Sequence, residues 1–176
     1  MQQMSLYTTA VPMTVRSLRN LKAILGKVKS FAEEKKIEEG VLLQSRLAID
    51  QFPFVRQVQI VCDNAKGTAG RLTGVEAPKM EDTEMTIAEL EARIDATIKF
   101  VSSLTESQFE GSEDRRVSIY FMPGKYMLGF DYVTELALPN FYFHLTTAYS
   151  ILRHVGMNLG KTDFIGNIDF KDEETK

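Results

Sequence analysis

A chain of 176 residues, 44% apolar and 26% charged, has the length and composition of one soluble globular domain able to bury its own core. Its net charge of −3, with no dense lysine/arginine block, argues against nucleic acid as the main partner, because phosphate binding needs such a patch. The single cysteine, Cys62, excludes an internal disulfide and suits a reducing compartment.

The N-terminal stretch MQQMSLYTTAVPMTVRS lacks the basic start and apolar run of a signal peptide. No apolar run is long enough to span a bilayer. The expectation is a cytoplasmic protein, one domain over 1–176, without a membrane partner.

In chain order, the first predicted helix covers about Leu6 to Lys36. Val11, Val15, Leu18, Leu21, Leu25, Val28 and Ala32 recur at three- and four-residue steps along one stripe, with Pro12 in the first turn. The charged EEKKIEEG ends it. A second pattern runs from about Val41 to Leu72, kinked or interrupted by Pro53, which removes a backbone donor and clashes with the preceding turn.

GVEAPKMEDTEM reads as a loop, whose acidic EDTE suits the start of the next helix. That third helix opens at Thr86, with Glu89 three residues on as a capping box, and carries Leu90, Ile94, Thr97, Ile98 and Val101 to about Leu104. RRVSIYFMPGKYMLGF alternates and turns at Pro123-Gly124, predicting a small β-hairpin. The fourth helix runs from about Asp131 to Gly156, distorted by Pro139 near Asn140. The tail after it has a short apolar knot and a charged end, 166–176, expected to fray. The fold class predicted is all-α: a four-helix bundle with a β-hairpin inserted before the last helix.

The fourth helix is apolar on two sides. Asn140, His144, Thr147 and Ile151 share one face; nearly opposite, Leu138, Tyr142, Leu145, Tyr149 and Leu152 form a heptad-like seam without charge. One face belongs to the bundle interior, and the other needs a cover. A second copy of the chain, making a homodimer, is the favoured cover; the tail residues Phe164, Ile165 and Ile168 are the alternative.

Asn140 and His144, one turn apart, can converge on one point. On the second helix the face centred on Asp50 holds Leu43, Leu47, Phe54, Gln57, Val61 and Asn64, a largely apolar stripe on which an unpaired carboxylate is costly. Arg46 is its simple partner. The sharper expectation is that Asp50 faces Asn140 and His144 across the bundle. Cys62 lies about a third of a turn away and reads as a small buried apolar residue rather than a nucleophile.

The segments LLQSRLAIDQFPFVRQVQIVCDNAKGTAGRL, MEDTEM, GSEDR and LPNFYFHLTTAYSILRHVGMNLGKTDFIG closely resemble the DinB/YfiT-like superfamily of bacterial four-helix bundles, in a branch known as a domain of unknown function. The resemblance spans Ser5 to Gly166. Metal-binding members carry one histidine on the second helix and an HxxxH pair on the last. The resemblance places Asp50, Asn140 and His144 at those positions.

Such a set is poor for zinc and nearer to what a harder divalent ion takes. His154 cannot complete it, being about 15 Å further along the helix axis. Two functions follow as expectations. One is a small-molecule-binding or stress-related bundle with a degenerate metal site. The other is a metal-dependent enzyme of thiol transferase, isomerase or hydrolase type, using Asp50, Asn140 and His144 on a divalent ion. No catalytic nucleophile is identified.

Overall fold

The structure is a computed structural model, and it describes residues 5–172. The final residues of the tail expected to fray, 173–176, lie outside them, as do 1–4. Ser5 caps the opening turn α1 (Leu6–Thr8), its hydroxyl accepting from the Thr8 amide at 3.2 Å. Thr9–Met13 then widens into a π-helical stretch around Pro12, which supplies no amide hydrogen and crowds the carbonyl four residues back. Helix α2 (Thr14–Lys35) follows, and the stripe Leu18, Leu21, Leu25 and Val28 is fully buried. It ends with Lys36 in the left-handed region (φ 56°) and the Ile37 amide bonded to the Ala32 carbonyl at 2.9 Å, a Schellman closure.

The second apolar pattern is not one kinked helix. It gives a short α3 (Glu39–Leu43), an exposed irregular turn through residues 44–53, and then α4 (Phe54–Thr73). Pro53 is the N-cap of α4, in extended conformation. The residue before a proline is pushed away from helical angles, so the break spreads backward from Pro53 rather than appearing as a bend. The Phe54 amide closes the turn onto the Ser45 carbonyl at 2.9 Å.

Helix α5 (Ile87–Ser102) starts with the expected capping box: the Glu89 amide donates to Thr86 Oγ1 at 3.2 Å and the Thr86 amide to Glu89 Oε2 at 2.9 Å. Leu90, Ile94, Thr97 and Val101 are fully buried. Short 3-10 turns, Glu106–Phe109 and Ser112–Asp114, lead to the hairpin. Strands β1 (Arg116–Ser118) and β2 (Tyr126–Leu128) pair antiparallel with Val117 opposite Met127, and Gly124 takes φ 75° in the turn, as the Pro123-Gly124 pair predicts.

Helix α6 (Gly129–Asp131) passes through a π-helical stretch, Tyr132–Ala137, into α7 (Leu138–His154). Pro139 sits in the first turn of α7. The distortion it causes therefore lies just N-terminal to Asn140, where the widened turn absorbs the missing donor. The chain ends in α8 (Lys161–Ile165).

In space α2 packs on α5, α5 on α4, and α4 on α7, while α8 lies on α2. A main core of α2, α4, α5 and α7 side chains fills one end. A second cluster, around Leu72, Val101, Val117 and Tyr132, joins the hairpin to the other end.

The proposed dimer seam is an internal face. Leu145 and Leu152 are 3% and 0% exposed. Met157 and Leu159 are buried in the same core, and Tyr149 stacks edge-on against Phe164 at 5.7 Å while donating its hydroxyl to the Leu159 carbonyl at 3.1 Å. Asn20 holds the Phe164 carbonyl at 3.0 Å, and Lys27 pairs with Asp163 at 2.6 Å. Within one chain, the tail covers the seam. It does so through Phe164, while Ile168 stays exposed.

Candidate functional site

Helices α4 and α7 run antiparallel, since Gln57 meets His144 near one end and Thr68 meets Tyr132 near the other. Between them, beneath the hairpin, lies a cleft of about 440 Å³. From α4 it is lined by Arg56, Ile60, Asp63, Asn64 and Arg71; from α7 and its lead-in by Tyr132, Leu136, Asn140 and His144; and from above by Ile119, Tyr120 and Phe121. Positions 56, 60, 63, 64 and 71 are separated by four, three, one and seven residues, so α4 turns one continuous face to it.

His144 is buried, and its Nδ1 lies 2.7 Å from Gln57 Oε1. The proton on this bond can be assigned. Gln57 Nε2 donates to the Phe52 carbonyl at 2.9 Å, which turns the amide oxygen toward the ring. A carbonyl oxygen only accepts, so Nδ1 carries the hydrogen and Nε2 keeps its lone pair. Burial, and secondly the nearby Arg56 guanidinium, hold the imidazole below its ordinary pKa. At neutral pH the cleft therefore presents an uncharged acceptor, held in one tautomer by a neutral amide.

Of the three residues expected to converge, the structure brings together two. Asn140 and His144 line the same cleft one turn apart. Asp50 does not join them, because it lies exposed in the turn before α4 and not on a helical stripe. Arg46, its simple partner in the sequence reading, instead donates to the Gln51 carbonyl at 2.9 Å. The α4 side chain facing the imidazole is Gln57, which was legible as a member of the same stripe but carried no charge to mark it.

This set does not fit a DinB-type metal centre. The first-ligand position is outside the cleft, and Gln57 engages Nδ1. Among the described residues no three of His, Cys, Asp or Glu come together as ligands.

The carboxylates near the cleft are held by cations. Arg93, 2% exposed at its side chain, bonds Asp63 at 2.8 Å, Asp82 at 2.9 Å and Glu84 at 2.8 Å. Lys66 adds a contact to Asp63 at 3.1 Å, Arg56 pairs with Asp82, and Gln59 donates to Glu84 at 2.8 Å. The acidic MEDTEM loop is thus wrapped around a buried guanidinium, a role its N-terminal position alone did not reveal. Cys62 is 0% exposed, and burial pushes its thiol up to about 12, so it is no thiolate nucleophile.

Four helices, an interhelical cleft and a short hairpin across one end of it define a DinB-like bundle. A crystal structure described as a DinB family member protein from Shewanella denitrificans matches with a TM-score of 0.92 and 45% identity, over 96% of each chain. Residues 6–165 match the family described as Domain of unknown function (DUF1993), and the chain belongs to that family. No curated protein matches it. No helix among the described residues is long and apolar enough to cross a membrane.

Proposed function

We propose that the protein binds a small organic molecule in the α4–α7 cleft, with His144 as a fixed, neutral hydrogen-bond acceptor. The observation that carries this reading is the chain Phe52 carbonyl–Gln57–His144, which fixes the imidazole tautomer at the wall of a cleft of about 440 Å³. A volume in the range of small-molecule pockets, apolar walls and a few placed polar groups support binding. The metal-dependent alternative lacks its ligand set, as Asp50 is elsewhere.

A thermal-shift screen of small organic compounds tests the reading. Compounds that raise the Tm of the wild type are expected to lose most of that shift in Ile60→Trp, which obstructs the middle of the cleft, and in His144→Phe, which removes the acceptor. Stabilisation that persists in both variants would place binding elsewhere and defeat the proposal.

A further inference from the structure

Resting on the cleft reading, we infer that the bound molecule is an elongate amphipathic carboxylate, its head on Arg71 and its apolar body along Ile60, Leu136 and Phe121, with the far end of the cleft left to a hydrogen-bond donor on His144. The charges decide the head. Arg56 is neutralised by Asp82, and Asp63 by Arg93 and Lys66. Arg71 is the cleft guanidinium with no carboxylate in salt-bridge range among the described residues. Its one side-chain hydrogen bond there is donated by Nη1 to Tyr132 Oη, at 3.3 Å. A chain of net charge −3 thus keeps an exposed guanidinium without a carboxylate partner, among the described residues, at one end of a cleft.

That cation is also held in place. Its guanidinium lies 6.0 Å from the centre of the Tyr132 ring, whose hydroxyl is shared with Thr68 Oγ1 at 3.3 Å. One turn earlier stands Gly67, and a Cβ there would come within 2.6 Å of Arg71 Nη1. A glycine in the middle of a helix is unfavourable relative to alanine. Here it leaves the space into which the arginine folds back. The donors not used on Tyr132 form a planar fork, which matches a carboxylate in two-pronged fashion.

The body follows from the walls. Along α4 the lining runs from Arg56 to Arg71, fifteen residues of helix, so the cleft is about 22 Å long. Ile60, Leu136, Ala137 and Phe121 lie along it. A compact anion leaves that length unfilled, and a neutral chain leaves the guanidinium unpaired.

Decanoate and decanol serve as probes of equal length and different head. Calorimetric titration is expected to show decanoate binding at least tenfold more tightly than decanol. Arg71→Gln should bring decanoate down to the level of decanol while leaving decanol unchanged. Gly67→Ala should do the same with an unchanged or higher Tm, because alanine favours the helix and only displaces the guanidinium. Equal affinity for the two probes, or full affinity in Arg71→Gln, would overturn the anionic head and leave the cleft reading standing. Decanoate binding that survives Ile60→Trp would overturn both. No binding of decanoate would overturn the carboxylate class, with the cleft judged by its own screen.

Discussion

Gln57 does two things with one amide. Its nitrogen anchors to the Phe52 carbonyl at the start of α4, and its oxygen then has a single orientation left, toward His144. Gln57→Leu should leave Nδ1–H buried without a partner, at a cost of about 1–3 kcal/mol, measurable by denaturant unfolding. The imidazole gives a pH signature with a definite sign. Its folded pKa is depressed by burial, so the unfolded chain takes up the proton first. Stability from this group is complete above the unfolded value, near 6.5, and declines as pH falls below it. Thermal unfolding between neutral and mildly acidic pH should show that decline, and His144→Gln should flatten it; an unchanged slope would mean the ring is not held neutral.

At the scale of elements, Pro53 and Arg93 each organise a segment that has no regular structure. Pro53 forces the chain out of helix before α4, and this carries Asp50 to the surface. Asp50→Ala is therefore expected to change stability by less than about 0.5 kcal/mol, the usual range for an exposed site, and to leave probe binding intact. Arg93 holds the loop between α4 and α5 by two of its carboxylates, Asp82 and Glu84, and ties in α4 through Asp63. Arg93→Met should cost toward the lower end of about 3–5 kcal/mol, because Asp63 and Asp82 keep more than a third of their side-chain surface in water and can rehydrate. Proteolysis in the 75–86 loop should rise in the same variant.

At the scale of the whole molecule, α8 and the preceding turn seal the bundle. They cover the α7 face that a second copy was expected to cover. Charge in the seam therefore strikes the core. Leu145→Glu should lose stability on the order of 4 kcal/mol or more and give insoluble or unfolded protein, as seen by circular dichroism. A folded, soluble variant differing only in oligomeric state would show instead that the seam is an interface.

Periodicity and turn chemistry determined α2, α5, α7 and the hairpin from the sequence alone. The apolar stripes of α2 and α5, the Thr86–Glu89 box and the Pro123-Gly124 turn are local features, each settled by residues within a turn or two of one another. The pairing of Asn140 and His144 on one wall was legible for the same reason. The partner across the cleft was not. Extending one helical phase through Pro53 put Asp50 on a stripe it does not occupy, since phase is lost wherever a chain leaves the helix. Gln57 opposite His144, Arg71 on Tyr132, and Phe164 against Tyr149 join residues 15 to 87 positions apart. Which side chains meet across such separations is decided by the packing of α4 against α7 and of α8 against α2, and only the tertiary structure fixes that.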